Sequence, residues 1–170
     1  MGLPAILSTH ALTIYLNDHL AGATAGVELV ARMASENESS EFAAPLNRLR
    51  TEIGEDRDEL VSMIEGLGYP VDHVKIAAGW TAEKIGRLKP NGQLRGYAPL
   101  SRLLEFETLL VGINGKAALW RSLEQVDAVD AATLERLSGR ARSQATIVRR
   151  LHREAAAIAL GAEQRSGHLG

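Results

Sequence analysis

The sequence predicts an all-α fold: four long helices in two antiparallel hairpins, with a short helix in the crossover between the pairs. Three observations carry this. Aromatic residues make up only 4% of the 170-residue chain, and no stretch alternates polar and apolar strictly enough to read as a strand. Strong helix formers abound. Four long segments repeat apolar residues at steps of three and four, and the longest link falls between the second and third of them, as in a bundle with one long crossover.

The first helix is expected over residues 9–34, capped by Ser8 or Thr9, with Leu12, Tyr15, Leu16, Ala23, Val27, Val30 and Met33 inward. Within it, Gly22 and Gly26 lie one turn apart and cost helix stability. The second helix begins between residues 40 and 45, because Pro45 is tolerated only in a first turn, and Gly66, Gly68 and Pro70 end it. Its seam runs Phe42, Leu46, Leu49, Ile53, Asp56, Leu60, Met63 and Leu67, a heptad pattern with one acid in it. A shorter helix follows Asp72 over residues 73–88, then a Pro/Gly/Asn-rich loop over 89–99. The third long helix spans residues 100–123 with Pro99 in its first turn. The fourth spans 131–160 behind Asp130 as N-cap, with Leu134, Leu137, Ala141, Ala145, Val148, Leu151, Ala155 and Ile158 inward. Residues 1–160 thus read as a single helical-bundle domain and 161–170 as a flexible tail.

Composition narrows the function. Cysteine is absent, which removes disulfides, thiolate metal sites and a cysteine nucleophile together. A formal net charge of −2 gives no reason to expect nucleic acid as a partner. The opening run lacks a basic region and is interrupted by Ser8, Thr9, His10, Thr13 and Asn17, so it reads as the start of a core helix, not as an export signal or membrane span. A cytoplasmic protein without a membrane partner is the expectation. The chain has no Walker or dinucleotide-binding glycine loop and no G-x-S-x-G elbow, and no catalytic residue is assigned.

The candidate chemistry lies in polar residues at apolar spacing. Glu107 is flanked one turn away by Leu103, Leu104, Leu110 and Val111, and Asn114 in the same way by Leu110, Val111, Ala117 and Ala118. Asp56 interrupts the second helix's seam, while Asp18 and His19 border the apolar face of the first. Asp18, His19, Asp56, Glu107 and Asn114 are therefore expected to form an interior polar network, since a buried carboxylate needs a hydrogen-bonding or cationic partner. The fourth long helix can supply one: it carries six arginines against two acids, whereas residues 40–66 carry seven acids against three arginines. An arginine reaching Glu107 or Asp56 is the leading expectation.

The segments DHLAGATAGVELVAR from Asp18 and ETLLVGINGKAALWR from Glu107 align without gaps, matching Asp18 with Glu107, Gly26 with Gly115 and Arg32 with Arg121. Two such hairpins resemble the ferritin-like superfamily. In that family the first helix of each pair offers a lone carboxylate and the second a Glu-x-x-His pair around two metal ions. Asp18 and Glu107 occupy the lone-carboxylate positions, but no acid of the second helix has a histidine three residues on. The fourth long helix holds Gln144 and Ile147 where the other pair belongs. The resemblance therefore implies the bundle without its dimetal site, and no cofactor is expected. The alternative is a metal-binding oxidoreductase or storage protein with an aberrant site on His19, Asp56 and Glu107.

Two binding readings remain. Phe106, Ile113 and Trp120 lie beside a second stripe of Leu104, Val111 and Ala118 on the third long helix, which points to a homodimer. Gly22, Gly26, Gly112 and Gly115 could instead leave room for a small ligand, whose signature would be a ligand-sized cavity bounded by those glycines and not close backbone contact.

Overall fold

The computed structural model describes residues 3–73 and 98–166, with side chains described over 9–73 and 98–161. The described residues form four long helices: α1 (Leu3–Glu36), α2 (Ala43–Gly66), α3 (Pro99–Leu123) and α4 (Ala131–Ser166). The short helix predicted over 73–88 lies, apart from His73, outside the described residues, and so do residues 167–170 of the predicted tail.

Local chemistry sets the helix ends. α1 starts earlier than its cap residues predicted and takes in the opening run. α2 carries Pro45 in its first turn and closes in a Schellman motif: the Gly68 amide donates to the Glu65 carbonyl (2.9 Å) and the Tyr69 amide to the Ile64 carbonyl (3.0 Å). That motif needs a left-handed residue, and Gly68 supplies it at φ +74°. Ala98 is extended ahead of Pro99, as the residue before a proline prefers, and Pro99 opens α3. Asp130 caps α4 by accepting a hydrogen bond from the Thr133 amide at 2.8 Å. The same bonds hold the exposed Asp130 carboxyl below its ordinary pKa. α4 continues to Ser166, past the end expected at residue 160.

α1 packs tightly on α2 and α3 on α4, while α1 faces α3 and α2 faces α4 more loosely. The core falls into two clusters. One joins Val30 and Met33 from the end of α1 to Phe42 and Leu46 from the start of α2, Phe106 from the start of α3 and Leu151 from late α4. The other joins Leu16 and Leu20 to Leu60 and Ile64, Leu119 and Trp120, and Leu134 and Leu137. α2 and α3 therefore run in the same direction, and the chain between them leaves one end of the bundle and re-enters at the other. The α2 seam points inward from Phe42 to Leu60, Asp56 included, but in the last turns Ile64 is buried while the predicted Met63 and Leu67 are half-buried; the α4 stripe points inward except at Ile158. No described helix is long and apolar enough to cross a membrane.

Candidate functional site

Between the two clusters lies a charged layer. Asp56, 1% exposed, follows Ile53 of one cluster and precedes Leu60 of the other; Lys116 stands likewise between Ile113 and Leu119, and Gln144 between Ala141 and Ala145. The Lys116 ammonium donates to Asp56 Oδ2 and to Gln144 Oε1, the latter at 2.7 Å. Arg140 meets Asp56 Oδ1, and its other guanidinium nitrogen meets Glu55 at 2.7 Å. The Gln144 amide donates to Asp56 Oδ2 at 3.1 Å and to Glu52 at 3.3 Å. Every charge in this layer is paired, which is the condition for keeping it out of water. Burial still pushes the Lys116 ammonium below its ordinary pKa, with Asp56 opposing the shift and Arg140 adding to it.

The arginine expected from the last helix is thus Arg140, and its target is Asp56. The opposite charge of the two second helices appears as the pairs Arg140–Glu55 and Arg136–Glu59 across α2 and α4. Lys116 was not anticipated, although it is the only charged residue between Glu107 and Arg121 and so stands out in an apolar run.

Glu107 corrects the sequence reading. Its side chain is 52% exposed and meets His152 at 3.2 Å on the outer face of α3 and α4. The cause is that α3 carries two apolar stripes. Leu103, Phe106 and Ile113 are buried, whereas Leu104 and Val111 are 42% and 72% exposed; Glu107 lies with the latter pair. One-turn spacing counts neighbours from both stripes and cannot tell which faces the core. Asn114 shares the outer face and is exposed, and Asp18 is exposed on α1. His19 is half-buried against Tyr15, with ring centroids 4.6 Å apart, and burial lowers its pKa more than Asp18 raises it. The set His19, Asp56 and Glu107 is not assembled, and among the described residues no group of three histidines or acids is placed to hold a metal ion. Asn17, absent from the predicted network, is buried at 3%: its amide donates to the Pro70 carbonyl and its oxygen accepts from the Asp72 amide, fixing the chain beyond α2.

Above the charged layer, α1 and α3 part to form a groove of about 1040 Å³. Its middle is small and apolar, with Gly22, Ala25, Gly26 and Leu29 from α1 and Leu109, Gly112, Ile113 and Gly115 from α3, while Asp18, Arg32, Glu36, Asp56, Arg57, Glu105 and Lys116 also line it. A Cβ built on any of the four glycines meets nothing within 4 Å among the described residues. These glycines therefore border open space and are not sites of close helix contact. At one end of the groove stand His19, Lys116 and Trp120, and at the other the ion pair of Arg32 with Glu105 (3.0 Å) joins α1 to α3. The indole nitrogen of Trp120 is buried without an acceptor among the described residues. No family model, curated protein or solved structure matches this chain.

Proposed function

We propose that the protein is a non-catalytic binding module, a bundle of ferritin-like topology whose α1–α3 groove receives a ligand in place of a dimetal centre. The observation that carries this is a groove of about 1040 Å³ edged by four glycines with free space beyond them. Ligand sites commonly span about 300–1,000 Å³ with mainly apolar walls and a few convergent polar groups, and this groove, at about 1040 Å³, lies just above that range. The helix propensities support the same reading. Each interior glycine costs roughly 1 kcal/mol against alanine, and no contact among the described residues offsets that cost. The acid at the groove floor is committed to two cations and an amide, which favours a structural charge layer over a catalytic carboxylate.

The test is binding of 1-anilinonaphthalene-8-sulfonate, a probe for apolar clefts. One probe molecule should bind per chain, and Gly26→Leu with Gly112→Leu should abolish binding while far-ultraviolet circular dichroism stays helical. Equal binding by the filled variant would refute the reading.

Self-association is the second reading, and exposed aliphatic side chains on α3, two of which (Leu104 and Val111) also border the groove, favour it. Leu100, Leu104 and Val111 are exposed along one line of α3, at spacings of four and seven. Such a line is a coiled-coil seam, with Glu107 and Asn114 at its polar positions. Sedimentation equilibrium at micromolar concentration should show a dimer that Val111→Glu converts to monomer; a wild-type monomer removes this reading.

A further inference from the structure

We infer that the ligand of the groove is an apolar aldehyde, held covalently as an imine on the side-chain nitrogen of Lys116. This rests on the binding reading above and deepens it by naming the ligand's reactive group. Position, activation and charge select that group.

Lys116 lines the groove, and its side chain is 13% exposed. It is the only lysine among the described residues. Its nitrogen donates to Asp56 Oδ2 and to Gln144 Oε1, and among the described residues its third tetrahedral position has no partner. As a free amine it keeps two N–H bonds for those acceptors and carries its lone pair at the third position. Gly112, one turn earlier, and Gly115, its chain neighbour, leave space beside it: a Cβ on either meets nothing within 4 Å among the described residues.

An amine attacks a carbonyl only in its unprotonated form, and lysine reaches that form when it is desolvated or set beside another cation. Both conditions hold at Lys116. Burial is the largest influence and favours the free amine; Asp56 and Glu52 oppose it without reversing it, and Arg140 acts in the same sense as burial.

Charge then selects the carbonyl. The layer sets Lys116 and Arg140 against Asp56 and Glu52 and is balanced. Beyond it, the lining sets Asp18, Glu36 and Glu105 against Arg32 and Arg57, which gives an anionic ligand no advantage. A neutral aldehyde disturbs neither. In the reaction the ammonium gives one proton to water, and the lone pair adds to the carbonyl carbon. A second nitrogen proton moves to the new alkoxide, a proton returns from water, and the oxygen leaves as H2O while the C=N bond forms. The product is an iminium that keeps one N–H and one positive charge opposite Asp56, so the layer stays balanced. Acylation of the same nitrogen would remove that charge and leave Asp56 short of a cation.

The experiment is reductive trapping of the full chain with naphthalene-2-carbaldehyde and sodium cyanoborohydride near neutral pH, with adducts located by peptide mass mapping. The first adduct should form at Lys116, about tenfold faster than at Lys75, Lys84 or Lys89, and unfolding in urea should erase that preference. Gly26→Leu with Gly112→Leu, which leaves Lys116 in place, should slow Lys116 to the rate of the other lysines. Lys116→Arg should remove the adduct, but it alters a buried layer, so the glycine pair is the deciding variant. If 1-anilinonaphthalene-8-sulfonate binds the parent and not the filled variant, yet Lys116 labels no faster than the other lysines, the aldehyde inference is overturned and the groove reading stands. Fast labelling that the filled variant retains also overturns the inference, because the aldehyde then does not arrive through the groove. If the sulfonate binds neither protein, or both equally, the groove reading falls and the inference with it.

Discussion

Replacing Gly22, Gly26, Gly112 and Gly115 together by alanine separates a groove built for an occupant from a defect in packing. In a helix interior each Gly→Ala change gains about 0.5–1 kcal/mol where the new methyl fits without strain. Among the described residues none comes within 4 Å of an added Cβ, so no overpacking term subtracts from that gain. The four changes should stabilise the unliganded protein by about 2–4 kcal/mol. For a chain of this size that raises the melting temperature by roughly 5–15 °C. Urea denaturation followed by circular dichroism measures it. Gly54→Ala and Gly139→Ala serve as controls: the first Cβ is unopposed, and the second comes no nearer than 3.8 Å to the Arg142 side chain. Both controls should stabilise without touching ligand affinity, whereas the groove variant should gain stability and lose affinity, because four methyl groups occupy the ligand's space. A groove variant less stable than its parent would refute the reasoning, since it would mean that these glycines are closely packed after all.

Further predictions follow from the charged layer and the caps. Asp56→Asn leaves Lys116 and Arg140 facing each other without their shared anion and should cost about 3–5 kcal/mol in urea denaturation; a loss below about 1 kcal/mol would show the layer to be wetter than its geometry implies. Lys116 has a folded-state pKa below its unfolded value, so between the two the unfolded chain binds more protons and the Lys116 contribution to stability rises with pH toward 10.5. Lys116→Met should flatten that rise, and identical alkaline profiles for parent and variant would contradict it. Gly68→Ala forces a side chain into the left-handed region and should destabilise by about 1–2 kcal/mol, in contrast to every groove glycine. Glu107→Ala should change stability by less than about 0.5 kcal/mol, because its partner His152 and the pair's setting are solvated.

The helices and their ends were largely legible in the sequence, because caps, prolines and heptad steps are local signals. Pro99, Asp130 and the glycines after α2 each act at the position where spacing placed them. Asp56 was legible for a related reason: α2 has one apolar seam, and Asp56 lies in its middle turns, which face inward, whereas Met63 and Leu67 near its end are half-buried. α3 defeated the same argument because it has two, and only tertiary contacts decide that Phe106 and Ile113 point in while Leu104 and Val111 point out. Glu107 went with the wrong stripe. The excess of arginine on α4 over acids on α2 carried the α2–α4 pairing, but net charge cannot say which arginine reaches which acid. Lys116 joins the layer from α3, whose own sequence shows no acid to match it at one turn. The groove was legible as a pair of glycine sets; whether they meant close contact or open space depended on the separation of α1 from α3, which no local pattern encodes.

The most direct measurement is a proton–nitrogen correlation spectrum of the labelled protein, recorded without and with stoichiometric 1-anilinonaphthalene-8-sulfonate. Glycine amides and tryptophan indoles fall in regions of their own, so the groove reports on itself. The amides of Gly22, Gly26, Gly112 and Gly115 should shift together, while Gly54 and Gly139 stay in place. An unchanged spectrum, or shifts confined to the outer faces of α2 and α4, would contradict it.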